Sequence, residues 1–140
     1  MSFLLDTSVV LASLDADEPH HAACDRVLAE GGHHLYAHAL AEAFSILSGS
    51  GAHRRRLAPA QAADLLQASV VPFVQLVHLT GRETMAAIAD AERRGARGGA
   101  IYDLLHLAAA RKANVAALLT LDTRDFAALA RSGDPEIRSP

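Results

Sequence analysis

The chain opens on an apolar triplet, Phe3, Leu4 and Leu5, that stops at Asp6. This pattern predicts a short strand, and the apolar run over 8–14 behind it predicts a helix. Pro19, after Asp17 and Glu18, stands where a helix would begin, and the helix is expected to run to about residue 30, where Gly31 and Gly32 end it. A second strand is predicted over 34–38. Residues 40–47 are apolar at helical spacing and are closed by Gly49, Ser50 and Gly51. Pro59 opens a further helix to about residue 69, and 73–79 reads as a third strand. Thr80, with Glu83 three residues on, forms a capping box for a long helix to about residue 94. Glycines at 95, 98 and 99 break the pattern. Residues 101–113 are apolar on nearly every helical face, as a buried helix is. A fourth strand over 115–121, a short helix over 123–130 and a polar last edge strand over 136–138 complete the reading.

Strands that alternate with helices, and are themselves apolar throughout, belong to a parallel sheet covered on both faces. The expected architecture is therefore α/β, one three-layer α/β/α domain over 1–140 with about five strands. No repeat, long linker or low-complexity tract interrupts it.

Composition narrows the class. With 140 residues, 51% of them hydrophobic, the chain can build a core without disulfides or metal. The one cysteine, Cys24, fits a reducing compartment. No apolar run approaches the roughly 20 residues of a membrane span, and the N-terminus lacks the basic start of a signal peptide. A cytoplasmic protein without a membrane partner is expected. The net charge of −3 argues weakly against nucleic acid, but arginines cluster at Arg54, Arg55 and Arg56 and at Arg93, Arg94 and Arg97. Arginine grips phosphate in bidentate fashion, so these clusters are candidate RNA-binding residues.

Four carboxylates stand alone. Asp6 is the only charged side chain from residue 1 to 14, Glu42 the only one between Glu30 and Arg54, Asp103 between Arg97 and Arg111, and Asp122 between Lys112 and Arg124. An ionised carboxylate in a stretch built for the interior is costly unless paired, hydrogen-bonded or bound to a cation. Asp6 and Asp122 lie just past the carboxyl ends of two predicted strands. Glu42 and Asp103 lie in the first turns of helices, and Asp125 falls on the same side of its helix as Asp122. The carboxyl-end crevice of an open parallel sheet is where such side chains meet. Converging carboxylates repel unless a hard cation such as Mg²⁺ or Mn²⁺ neutralises them, and such sites serve phosphate chemistry. With those five acids set aside the remainder carries +2, a mildly basic surround for an acidic pit. Each acid also has a plainer role: Asp6 as a helix N-cap, Asp122 with Asp125 as cap and N3 acid, Glu42 snorkelling to the surface, Asp103 as a first-turn dipole partner.

Other signals are weak. His20, His21 and Cys24 have helical spacing but no fourth zinc ligand. The run GARGG at 95–99 follows no strand and lacks dinucleotide-binding spacing. His106, one turn after Asp103, could orient a ligand but reads first as a core or rim histidine.

The segments FLLDTSVVLASL around Asp6, LAEAFSIL around Glu42, IYDLLHLAAA around Asp103 and LLTLDTRDF around Asp122 together resemble the PIN domain, and more narrowly the VapC-type toxins of bacterial toxin–antitoxin pairs. The resemblance runs from Phe3 to Pro140. It implies a sheet of order 3-2-1-4-5 and a Mg²⁺-dependent endoribonuclease, with Mn²⁺ as a substitute. Asp6, Glu42, Asp103 and Asp122 match the family's catalytic acids, and Asp125 an additional acid. Thr7, Ser8 and Thr120 match its small hydroxyl positions. By the same resemblance Asp6 and Asp103 would hold the main metal, with Asp122, Asp125 and Glu42 holding a second ion or ordering its waters. An RNA substrate, a VapB-type antitoxin and a homodimer with the arginine clusters on its rim are the implied partners. An RNA-processing nuclease outside such a pair, or a PIN-like domain that binds RNA or protein without cleaving, are the alternatives.

Overall fold

The computed structural model describes residues 1–50 and 56–140. Five strands, β1 (Phe3–Leu5), β2 (His33–Tyr36), β3 (Val74–Val77), β4 (Ala117–Leu119) and β5 (Glu136–Arg138), form one parallel sheet of order β3-β2-β1-β4-β5. This is the order and class that the sequence leads one to expect. The helices are α1 (Thr7–Ser13), α2 (His21–Glu30), α3 (His38–Ser48), α4 (Pro59–Ser69), α5 (Gly81–Ala89), α6 (Ala91–Arg94), α7 (Ala100–Lys112) and α8 (Thr123–Leu129).

Strand alternation divides the core into two layers. Leu5, Leu35 and Leu119 face a cluster built with Val9, Cys24, Ala43, Leu47 and Leu66 from α1 to α4. Leu4, Tyr36 and Leu118 face the other way, against Leu104, Leu107, Phe126 and Leu129 from α7 and α8. Because both faces are covered, each central strand is apolar at consecutive positions, which is why three residues suffice for β1 and β4.

Three local expectations change. Pro19 does not start a helix: Glu18 N–H donates to the Asp15 carbonyl and His21 N–H to that of Glu18, so Pro19 sits in a turn where its fixed φ is favoured, and α2 begins at His21. The helix expected over 80–94 is two helices, α5 and α6, separated at Asp90. The restart turns Arg94 inward, where it is 6% exposed and bound to Asp90, Asp134 and the Leu129 carbonyl. Arg94 is therefore not an RNA-binding residue. Its cation is consumed in tying α6 to the loop before β5. Strands are also shorter than the apolar runs that announced them, since 3-10 backbone takes Val71–Phe73 and the pairing of β4 spans only Ala117–Leu119.

Of the other arginine candidates, Arg93 pairs with Asp90 at 2.7 Å while staying exposed, and Arg97 is exposed. Arg56 is exposed and donates Nε–H to the Ser48 carbonyl. Arg54 and Arg55 lie outside the described residues. Among the described residues no helix is long and apolar enough to cross a membrane.

Candidate active site

Sheet order reverses between β1 and β4, the neighbours whose next connections run to opposite edges. In an open parallel sheet this switch point opens a crevice at the carboxyl ends of the strands. Asp6 leaves β1 there, and Asp122 follows β4. Asp6 is 5% exposed and fully engaged. Its Oδ1 accepts the Thr7 N–H at 2.7 Å, which caps α1, and its Oδ2 accepts the hydroxyls of Ser8 and Thr120, each at 2.8 Å. The hydroxyls are oriented in turn. Ser8 Oγ accepts the Leu121 N–H and Thr120 Oγ1 the Asp122 N–H. Each oxygen thus accepts one backbone N–H, which orients the hydroxyl so that its proton points at Asp6. Thr7 contributes only its backbone N–H; its hydroxyl is buried without a hydrogen-bond partner among the described residues.

This arrangement makes Thr120→Val a sharp probe, because it keeps the side-chain shape. The change removes a hydrogen bond to a buried carboxylate and strands the Asp122 N–H. It should cost about 1–3 kcal/mol in urea melts.

The other acids approach from the helices. Glu42 sits on α3 and accepts the Nε2–H of His106 on α7 at 2.9 Å, and the same nitrogen is 3.9 Å from Asp6 Oδ1. Facing two carboxylate oxygens, Nε2 carries the proton. His106 is completely buried. It lies edge-on to Tyr36 and Phe126, which fix its ring plane. Glu42 therefore does not snorkel to the surface but is anchored inward. His106, one turn beyond Asp103 on α7, thus holds Glu42 in the cluster.

Asp103, half-buried in the first turn of α7, has its carboxyl pushed up from 3.8 to about 6. Burial is the main cause, then the charge of Asp6, with smaller contributions from Asp125 and Glu42 against the opposing pull of His106. Burial also raises Asp122, followed by Asp6 and Asp125. Asp122 stands at the N-cap of α8 yet makes no capping hydrogen bond, so the helix end does not account for it. The structure thus brings Asp6, Glu42, Asp103, Asp122 and Asp125 into one field of like charge, buried toward Asp6 and open at Asp122 and Asp125.

Among the described residues no three acidic or histidine side chains have closed into a ready-made metal cage. The donor set is nonetheless oxygen only, and a small hard cation uses one or two carboxylates with water completing its shell. Asp6 and Asp103, with Asp122 and Asp125 at the mouth, fit that demand in kind and charge. A cavity of about 580 Å³ between α5 and α7 offers no such chemistry. Its charged walls are paired already, Lys112 with Glu83, Arg111 with Asp134 and Asp90 with Arg93.

Residues 3–132 match the family model of the PIN domain. The chain belongs to the PIN domain family. Its fold is similar to those of three solved structures. VapC20 of Mycobacterium tuberculosis, a sarcin–ricin loop cleaving toxin, is 23% identical with a TM-score of 0.68 over 95% of this chain and 99% of that one. VapBC2 of Rickettsia felis, bound to a promoter DNA fragment, is 15% identical with a TM-score of 0.65 over 99% and 98%. A FitAB-type structure from Neisseria gonorrhoeae is 19% identical with a TM-score of 0.66 over 98% and 96%. No curated protein sequence gives a match.

Proposed function

We propose that this chain is a Mg²⁺- or Mn²⁺-dependent endoribonuclease and the toxin of a VapBC-type toxin–antitoxin pair. The observation that carries the reading is the placement of Asp6 and Asp122 at the carboxyl-end switch point of the sheet, with Glu42, Asp103 and Asp125 brought in from the helices, so that burial and then Asp6 raise the Asp103 carboxyl. A cluster that repels itself at neutral pH gains most from a divalent cation, and PIN-domain membership supports a nuclease. Asp6 and Asp103 would hold the ion, with Asp122, Asp125 and Glu42 ordering a second ion or its waters. When bound, such an ion supplies a water of lowered pKa and neutralises charge on a phosphodiester. The chain's own share is positioning. Ser8 and Thr120 aim Asp6, His106 anchors Glu42, and the buried end of the crevice keeps Asp6 from bulk water.

Loops of single-stranded RNA suit a shallow acidic crevice, since their backbone is accessible and their bases are splayed. The toxin–antitoxin structures of similar fold support a VapB-type antitoxin as partner, and a homodimer is part of the same reading. Incubation of total cellular RNA with the protein, in Mg²⁺, in Mn²⁺ and in chelator, tests the activity. Cleavage is expected in both metals and none in chelator. Asp6→Asn protein purified in parallel should cleave nothing. Metal-independent cleavage, or an active Asp6→Asn protein, would refute the mechanism. Growth arrest on induction without antitoxin separates a toxin from an RNA-processing nuclease.

A further inference from the structure

A chain of aromatic rings leads out of the site. Phe126 and Tyr36 bracket the buried His106, Tyr36 lies 5.8 Å from His38, and His38 stacks on Tyr102 at 5.7 Å with the ring planes only 10° apart. The inner rings are buried, but His38 is exposed and Tyr102 is 49% exposed. Tyr102 stands directly before Asp103, and its half-exposed ring is not explained by core packing. The two outer rings wall a cavity of about 390 Å³ between α3 and α7, completed by Ala41, Glu42, Ser45 and Ile46. Glu42 belongs both to this cavity and to the acidic cluster, so the shelf and the candidate active site are continuous.

We infer that Tyr102, backed by His38, is a stacking shelf for one unpaired nucleobase of the RNA beside the phosphate to be cut. The inference rests on the nuclease reading and specifies how its substrate is held. A near-parallel pair of exposed rings presents a flat π-surface, which a base covers and a flexible aliphatic side chain does not. Every base has such a face, so the shelf requires an unpaired base without dictating its identity. A volume near 390 Å³ is within the range of small-ligand sites. The acids hold no base, and the shelf holds no phosphate. Together they define the register of a strand across the crevice.

The chain has no tryptophan and only two tyrosines, Tyr36 and Tyr102. In Tyr36→Phe protein the tyrosine emission therefore reports Tyr102 alone. Titration in chelator, where no cleavage occurs, compares octaadenylate with a base-free ribose-phosphate octamer. Octaadenylate should quench the emission and the base-free octamer should not. By anisotropy, Tyr102→Ala should weaken labelled octaadenylate binding about 5- to 150-fold, the range of one base–aromatic stack. Tyr102→Phe should bind like wild type, and removing the bases should cost Tyr102→Ala protein less than it costs wild type. Melting curves show that the exposed-site variants are folded. The inference is overturned if Tyr102→Ala binds octaadenylate as wild type does, if wild type binds no octaadenylate, or if both proteins lose equally on base removal. It is also overturned if Tyr102→Ala spares RNA and instead abolishes binding of an antitoxin peptide. RNA cleaved in Mg²⁺ with an unchanged KM in Tyr102→Ala protein sinks the shelf and leaves the nuclease standing. Base-dependent binding through Tyr102 without any cleavage does the reverse.

Discussion

Asp103→Asn protein should melt above wild type in chelator near pH 8, yet cleave RNA about 100- to 1,000-fold more slowly in Mg²⁺, on the order of the loss when a preorganised charge-stabilising group is removed. The stability gain follows from the sign of the Asp103 displacement. Its carboxyl binds its proton more tightly in the folded protein, at about 6 against 3.8. Ionised Asp103 therefore destabilises the fold, beginning as pH rises past the unfolded value and complete above the folded one. Taken whole, the displacement is worth about 3 kcal/mol. Solvent screening at a half-buried group reduces it to about 1–2 kcal/mol. Against this stands the first-turn helix-dipole interaction lost with the charge, about 0.3–1 kcal/mol. Burial and repulsion together outweigh it, and a gain of about 1 kcal/mol raises the Tm of a chain this long by about 3–4 °C. The gain should shrink as pH falls from 6 toward 4, because wild-type Asp103 then takes up its own proton. Added Mg²⁺ should narrow or invert the gap, since a cation that binds only the folded state stabilises wild type by about 2.7 kcal/mol at 100 times its Kd. If Asp103 served only the helix end, the variant would melt lower at every pH with an unchanged Mg²⁺ response. That outcome would remove Asp103 from the shared site.

The acids were legible in the sequence because each is a lone charge inside an apolar run, a pattern that survives without knowing any contact. The sheet was legible for a related reason: strands covered on both faces cannot alternate, so consecutive leucines such as Leu4 and Leu5 mark them. Their ends were not. A strand stops where its backbone hydrogen bonds stop, and apolar residues such as Val115 and Leu121 continue beyond. Thr120 was named only through the family resemblance and His106 only as a possible orienter, since the partners of both are distant in the chain. His106 meets Glu42 across 64 positions and Thr120 meets Asp6 across 114. Nothing local told Ser8 from Thr7 either. The first turn of α1 turns the Ser8 hydroxyl toward Asp6 and leaves that of Thr7 buried and unpaired.

Arg94→Met, although it lies outside the site, should lower stability by about 3 kcal/mol and the Tm by about 10 °C. Arg94 looks like one of a basic run with Arg93 and Arg97, but its guanidinium is buried between three acceptors. Nε donates to Asp90 at 2.7 Å and Nη1 to the Leu129 carbonyl and to Asp134. Asp134 has a side chain only 2% exposed. Burial alone would push its carboxyl up, but hydrogen bonds from Arg94, the Arg131 N–H and Arg111 together hold it below the ordinary range. Removing the cation leaves a buried carboxylate with Arg111 as its remaining charged partner, hence the lower end of the range for breaking a buried pair. A depressed carboxyl contributes stability above its unfolded pKa and loses it as pH falls through the folded one. The penalty of Arg94→Met should accordingly shrink below about pH 4. Asp134→Asn should cost at least about 1 kcal/mol less in the Arg94→Met background than in wild type, because the amide removes the stranded charge while still accepting from Arg131. Folded Arg94→Met protein should bind octaadenylate like wild type. Weaker RNA binding with unchanged stability would return Arg94 to the RNA surface and undo its assignment to the clamp between α6 and the loop before β5.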